Sequence, residues 1–493
     1  MPLSPFTRPR RTAAALSAAT ALGLALPAVA AADWSSGVEL DTGVGVTGLT
    51  VDQAGARIVG ARGSDSKKRV NTHLMGVDAD GSAGALRTAA GIVQDPVNYD
   101  GDGVLWARQT SIGTVRRTVP NGKGGSKSLT LTNYRLGVSA GKTASVTMGT
   151  ARPFGTAVLD EPAKIAGNPK GSVVMAWSDV GDDGVVRVYA SWRKGEGKAT
   201  KVTLSKPRKI STSKSSRLLA VAAGAGGRAV LVYQTGASDS TRRLYARSLS
   251  MGRNELGKPQ TLRRGGPGFP NATASIGGKG RAVVAWGEQD SATERTKPYV
   301  VRATTRDTDK SRFSVPKPID KGGTTVRAPG GALVSTIDGA GRPTVAWSQQ
   351  VGSVADGTAH DIPRVAEGDA TGALGTPRDI AAAGRVHGIA SSDKTGTTGL
   401  VLVREQERPI GGSNGDRGVA VQAAFRPAGG TLAAPENIDQ FTDEQLLDRS
   451  NAFGSAAIGA LPDGTFTVAW TRAEIVKGKL RASALFSDRT AAP

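Results

Sequence analysis

The chain has 493 residues, with 63 Lys plus Arg against 42 Asp plus Glu, and a net charge of +21. Cys is absent and only three His occur, which excludes disulfides, thiolate metal sites and Cys nucleophiles, and leaves little for a zinc site or a Ser-His-Asp enzyme. At 38% apolar residues the chain can bury a large core, and its 66 Gly and 25 Pro fit short strands and turns better than long helices.

The N-terminus comes first. Arg8, Arg10 and Arg11 form a basic start, and Thr12 to Leu26 is apolar and rich in Ala and Leu. Pro27 then leads to two small-x-small sites, Ala28-Val29-Ala30 and Ala30-Ala31-Ala32. This is the layout of a cleaved secretory signal over residues 1–32. The apolar stretch falls short of the ~20 residues that a membrane span needs. Ala13 and Ala14 stand where a twin-arginine signal carries larger apolar residues, so general export is expected. The expected product is an extracellular, soluble monomer, residues 33–493, without membrane insertion. Loss of the three Arg lowers its charge from +21 to +18.

One phrase then recurs along the chain: a small or β-branched run, a Gly-bearing turn, an apolar strand and, in most copies, an aromatic. Thr336 to Trp347 is one copy, and Thr50 to Ala61 aligns with it without gaps. The anchors at the end of the phrase are Ala61, Trp106, Trp177, Tyr233, Trp286, Trp347, Val403 and Trp470. Their spacing averages about 58 residues, the signature of a repeat architecture. An alternating strand follows each anchor in the regular units, such as Val186 to Trp192 or Tyr299 to Thr304. A short element with Pro closes the unit, as at Pro207, Pro259, Pro316, Pro377 and Pro435. Pro cannot donate to a ladder, so this fourth strand belongs on an edge. The anchor strand is nearly continuous in Val, Ala and Leu, as expected where both faces are buried.

The expected fold is therefore all-β: a β-propeller of four-stranded antiparallel blades, eight in number, with seven as the alternative. The irregular stretch from Gly122 to Phe154 raises that alternative, because Ser145 to Met148 reads as an inserted hairpin or a degenerate anchor. The last unit lacks its Pro-type strand, and Ser35 to Asp41 reads as the missing one, closing the ring. The best helical signal is a capping box, Thr442-Asp443-Glu444-Gln445, expected to form one turn.

These strand phrases resemble the broad group of secreted bacterial β-propeller proteins that includes sialidase-like and calcium-loop propellers. The resemblance spans nearly the whole mature chain and implies the fold. The sialidase Asp box, Ser-x-Asp-x-Gly-x-x-x-Trp, is matched in no unit, and the arginine triad of that family has no assignable position. Sialidase activity is therefore not implied, since a fold alone does not give a function.

Other motifs have plain readings. Asn98, Asp100 and Asp102 occupy ligand places of a calcium loop, but the twelfth place is Gln109 instead of a bidentate Glu. A polar turn is the simpler reading, and no other cofactor is indicated. Asp179, Asp182 and Asp183 form a second acidic loop. Gly43 to Gly48 fits G-x-G-x-x-G, but a strand follows it where a phosphate site needs a helix. Gly137 to Thr143 is one residue short of a P-loop, and Gly411 to Gly415 matches G-x-S-x-G without strand-turn-helix context. His73, His360 and His387 lie in separate units and read as surface residues. The anchor Trp residues read as core, whereas Phe269, off the repeat, would suit a sugar.

Charge sorts by turn class. In the regular units the first-to-second turns carry Lys170, Arg228, Lys279, Arg281 and Arg342 against Asp338. The third-to-fourth turns carry Arg193, Lys194, Lys198, Lys201, Arg253, Lys258, Arg306, Lys310 and Arg312 against Glu196, Glu255, Asp307 and Asp309. In a four-stranded meander both classes emerge on one face, which is expected to be positive. The partner this suits is an anionic polymer, such as wall teichoic acid, an acidic polysaccharide or extracellular nucleic acid. Sequence-specific nucleic-acid reading is not expected, because no aromatic interleaving accompanies the charge. The expected function is thus a non-catalytic binding module for such a polymer or for a protein partner. The rival is a glycoside hydrolase or lyase acting on polysaccharide, with Asp160, Glu161, Asp179, Glu288 and Glu405 as candidate carboxylates.

Overall fold

The computed structural model describes residues 34–489, apart from 36, 43, 65–69, 91, 94–96, 99–102, 121–124, 144–151, 160, 194–201, 213–214, 237, 239, 267–268, 270, 290–298, 321–331, 353–359, 407–416, 444–454 and 477–478. The described residues form eight antiparallel sheets. Sheet 1 spans 44–90, sheet 2 spans 92–158, sheet 3 spans 164–209 and sheet 4 spans 216–264. Sheet 5 spans 272–320, sheet 6 spans 334–379, sheet 7 spans 385–443 and sheet 8 spans 456–488. Each of sheets 1 to 7 is an up-and-down meander of four strands, with an extra short strand in sheets 2 and 4. The architecture is all-β and of propeller type.

Every anchor lies on the second strand of its sheet, and that strand is buried on both faces. Val283, Val284, Ala285 and Trp286 are fully buried, as are Val345, Ala346 and Trp347. The apolar side chains of one sheet interdigitate with those of the next. Val283 and Ala285 of sheet 5 share a cluster with Val345 and Trp347 of sheet 6. Val365 of sheet 6 continues with Leu400 and Leu402 of sheet 7. The Pro-bearing elements sit on the outer edge: Arg208–Lys209, Gln260–Arg264, Lys317–Asp320, Arg378–Asp379 and Glu436–Asp443 each pair with the third strand of their sheet.

A hydroxyl just after the anchor joins one sheet to the next. Ser178 Oγ accepts the Leu218 N–H at 2.9 Å, joining sheets 3 and 4. Ser348 Oγ accepts the Val386 N–H at 2.9 Å, joining sheets 6 and 7. Thr471 Oγ1 accepts the Val46 N–H at 2.8 Å, joining sheet 8 to sheet 1. In all three receiving strands the register shifts next to the bonded residue, between Val46 and Gly48, Leu218 and Ala220, and Val386 and Gly388. The bulge interrupts the ladder, and the neighbouring hydroxyl takes up an N–H at that point.

Sheet 8 takes its outer strand from the other end of the chain. Val38–Thr42 pairs antiparallel with Lys479–Asp488, with Val38 opposite Phe486. Val46, Val59 and Ala61 of sheet 1 also share a cluster with Ala469, Ala484 and Phe486 of sheet 8.

Two local expectations change. Thr442 and Asp443 end a strand, Glu436–Asp443, and do not start a helical turn, while residues 444–447 lie outside the described set. The irregularity after Gly122 includes a long hairpin, Gly103–Pro120 against Ser126–Lys142. It leans on the turn of sheet 3, where Arg117 pairs with Asp182 at 2.6 Å and a side chain at Gly184 would strike the Thr118 carbonyl. Ser145 to Met148 lie outside the described residues.

The hydroxyl joints are testable. Thr471→Val keeps the shape but leaves the buried Val46 N–H without an acceptor. The expected loss is about 1–3 kcal/mol of stability, read from chemical denaturation. Ser348→Ala should cost a similar amount at the Val386 N–H.

Candidate anion-binding trough

The first-to-second turns share one geometry. Asp338 Oδ1 accepts the Arg342 N–H at 2.9 Å, and Gly341, at φ +82°, donates its N–H to the Asp338 carbonyl. Asp52 and Asn168 cap their turns in the same way, with Gly55 and Gly171 in the left-handed region that favours glycine. The recurrent Asp and Gly of the sequence phrase are thus turn chemistry.

Arginines beside these turns reach across to neighbouring sheets. Arg57 of sheet 1 bonds Asp488 of sheet 8 at 2.7 Å. Arg281 of sheet 5 donates to the carbonyls of Gly341 and Ala370 in sheet 6. Arg342 binds Asp338 at 2.9 Å and reaches the Gly396 carbonyl of sheet 7. Arg426 of sheet 7 is buried and donates to Thr344 and Asp338 of sheet 6. Burial pushes its guanidinium down, against the pull of Asp338 and Glu367. Part of the expected basic face therefore acts as mortar between sheets.

Six of the fourteen expected cations converge where sheets 4 and 5 meet. One cleft, with a volume of about 470 Å³, is bordered by Lys258, Arg306, Lys310 and Arg312, with Phe313 among its lining residues. A second holds Arg228 and Arg253 and shares Ser248, Gly257, Arg306 and Asp309 with the first, so the two form one trough. Arg228 pairs with Asp309 at 2.8 Å, and Arg253 approaches Glu255 at 3.9 Å. Among the described residues no carboxylate lies within 4 Å of the cations of Lys258, Arg306, Lys310 or Arg312. Hydrogen bonding from Arg228 holds the Asp309 carboxyl below its ordinary range. Burial pushes the Arg306 guanidinium down to about 10, so it stays charged at neutral pH.

The support beneath these cations was not legible as a motif. Gln260 clamps the backbone of Phe313 with both ends of its amide, accepting the Phe313 N–H and donating to its carbonyl, each at 2.8 Å. The Arg306 guanidinium lies 5.1 Å from the centre of the Phe313 ring. The nearest sequence signal was Pro259, which marks the edge strand that carries Gln260.

The other expected cations lie apart from the trough. Lys170 and Lys279 are exposed on their turns, Arg193 donates to the Gly171 carbonyl, and Arg281 and Arg342 join sheets as described above. Lys194, Lys198 and Lys201 lie outside the described residues. So do Asp100 and Asp102 of the calcium-loop candidate, while Asn98 ends the short strand Val97–Asn98. Among the described residues no group of three or more His, Cys, Asp or Glu is placed to hold a metal.

The candidate carboxylates are dispersed. Glu161 pairs with Arg217. Asp179 accepts the Val158 N–H at 2.9 Å, and burial pushes its carboxyl up. Glu288 is 2% exposed, takes the Trp286 Nε1–H at 3.2 Å and is held between Arg263 and Arg302. Glu405 lies on the strand Thr398–Gln406, and Asp160 is outside the described set. Two aromatic and His expectations are corrected. Phe269 is 1% exposed in the core between sheets 4 and 5, so it offers no sugar platform. His387 is half-buried on the first strand of sheet 7.

No family model matches the chain, and no curated protein matches it either. Solved structures similar to it include a polysaccharide lyase, at 10% identity and a TM-score of 0.42, covering 90% of this chain and 89% of that one. The β-propeller domain of the trilobed protease from Pyrococcus furiosus is similar at 8% identity and a TM-score of 0.40, covering 82% and 99%. An α-L-arabinofuranosidase of Fusarium graminearum is similar at 13% identity and a TM-score of 0.32, covering 67% and 96%. The chemistry of the trough rests on this chain's own residues.

Burial, with a smaller push from Arg385, lowers His387 to about 4, below its ordinary 6.5. The unfolded chain then takes up a proton before the folded one does. Stability at this site is full above pH 6.5 and is lost as pH falls toward 4. His387→Gln should therefore flatten the decline in melting temperature between neutral and acid pH, as measured by a pH series of thermal scans.

Proposed function

We propose that the eight sheets are the blades of one closed ring. What supports this is that sheet 8 meets sheet 1 through the same hydroxyl joint and bulge used between interior sheets. We propose further that the protein is an exported, non-catalytic module that adheres to an anionic polymer of the cell envelope, a polysaccharide or a teichoic acid. One observation carries this reading: Lys258, Arg306, Lys310 and Arg312 line one cleft of the trough, in which the one lining carboxylate, Asp309, is engaged by Arg228. A charged concavity with low-dielectric walls raises the local concentration of an oppositely charged chain.

The rival reading is an enzyme acting on polysaccharide, the class to which the similar lyase and arabinofuranosidase belong by name. Its hydrolytic form needs two carboxylates about 5–10 Å apart at a sugar. Glu288 is locked as a buried counter-ion, and Glu161, Asp179 and Glu288 share no partner. This favours binding over hydrolysis.

The test is retention on an immobilised polyanion as a function of salt. The protein should bind at low salt and elute as salt rises. Replacing Lys258, Lys310 and Arg312 with Glu should lower the slope of log affinity against log salt by about two or more. Replacing Lys170 and Lys279, away from the trough, should change it less. Absence of retention near neutral pH, or equal effects of the two sets, would sink the reading.

A further inference from the structure

We infer that the floor of the trough is a subsite for one tetrahedral oxyanion, the sulfate ester or phosphate group of an acidic glycan or wall polymer. This rests on the polymer-binding reading and narrows it to a functional group. The centre of the argument is Arg306. It is 3% exposed, yet it lines both halves of the trough. Its Nε donates to the Gly280 carbonyl and its Nη1 to Ser248 Oγ, while Phe313 packs against the guanidinium. Its Nη2 is buried and finds no acceptor among the described residues. Other buried nitrogens among the described residues also lack an acceptor, but Arg306 is the residue among them that lines the trough, where a ligand oxygen would supply one.

The way Arg306 is held also selects the ligand. Arg recognises a carboxylate best through two parallel N–H groups. With Nε and Nη1 engaged, each edge of the guanidinium has one nitrogen already committed. Nη2, with two N–H groups, is the nitrogen left without a protein acceptor, while the side-on Nε–Nη2 pair that would grip a carboxylate has its Nε occupied. Lys258 stands on the wall from sheet 4, Lys310 on the wall from sheet 5, and each adds a point charge. Separate donors on opposing walls suit a group whose oxygens point in several directions. A planar carboxylate presents two oxygens in one plane and leaves part of this set unmet. The site is preorganised, since Gln260 fixes Phe313 and Phe313 supports Arg306 before any ligand arrives.

The experiment has two arms. In the first, thermal unfolding of the protein is followed with about 5 mM sodium sulfate, phosphate or acetate at constant ionic strength, a level too low for general salt exclusion to matter. Sulfate and phosphate should raise the midpoint by about 1 °C or more, and acetate should not. The rise should vanish in Lys258→Ala/Lys310→Ala, an exposed pair whose loss does not threaten the fold, and shrink in Arg306→Lys. In the second arm, dextran sulfate, poly(glycerol phosphate) and polygalacturonate are titrated. At least one of the first two should bind about tenfold more tightly than the carboxylate polymer, equivalent to ~1.4 kcal/mol. Which one binds more tightly distinguishes a sulfate ester from a phosphodiester source. Equal responses to sulfate and acetate, or a rise that survives in the Lys double variant, overturn the subsite. So does preferential binding of duplex DNA over both polymers. Retention on polyanions without any sulfate preference removes the subsite and leaves the broader reading intact. A sulfate response without polymer retention does the reverse.

Discussion

The architecture depends on one constraint: each sheet carries a strand that is apolar on both faces. A single four-stranded sheet cannot hide such a strand, because water reaches one face or the other. A neighbour on each side is required, and a row of sheets leaves two raw faces at its ends. Sheet 8 packs against sheet 1 and covers one face of each. Val46, Val59 and Ala61 meet Ala469, Ala484 and Phe486 as interior neighbours meet each other. At about 25 cal/mol per Å² of apolar surface, this repeated burial is the main favourable term, and the polar joints act mainly to select register.

Polar groups near the buried strands follow from the same constraint. Three of the anchor Trp residues bring an indole N–H into the core and give it a carboxylate acceptor. Trp286 finds Glu288, Trp347 finds Asp320 and Trp470 finds Asp439. Two of these carboxylates then need counter-ions, supplied by Arg263 and Arg302 for Glu288 and by Arg364 for Asp320. A residue that looks like a catalytic acid in a list of loop carboxylates is thus the partner of a packing residue. The same logic absorbs Arg426 into a buried pair with Asp338. Lys258, Lys310 and Arg312, at the boundary of sheets 4 and 5, carry no such duty among the described residues and line a concavity.

Much of the fold was legible because strand roles leave local marks. Continuous apolar runs, Pro on edges and Gly three residues after a capping Asp are each set by neighbours a few positions away. The outer strand at the start of the chain was legible for a related reason, since the last unit visibly lacked one. The hairpin from Gly103 to Lys142 was obscured because its outer half breaks the repeat and packs on the turn of sheet 3. Phe269 looked available because it lies off the repeat, but it fills the gap between sheets 4 and 5.

The site divides along the same line. The amino-acid sequence by itself determined that basic residues cluster in two turn classes, and meander connectivity puts those classes on one face. Only the tertiary structure decided which of these cations are already engaged. Arg228 meets Asp309 across 81 positions of chain, Arg281 meets Ala370 across 89, and Ser248 takes its bond from Arg306 across 58. Periodicity encodes what a residue does within its own sheet. The charge that remains free depends on contacts between sheets, which exist only when the sheets are packed side by side.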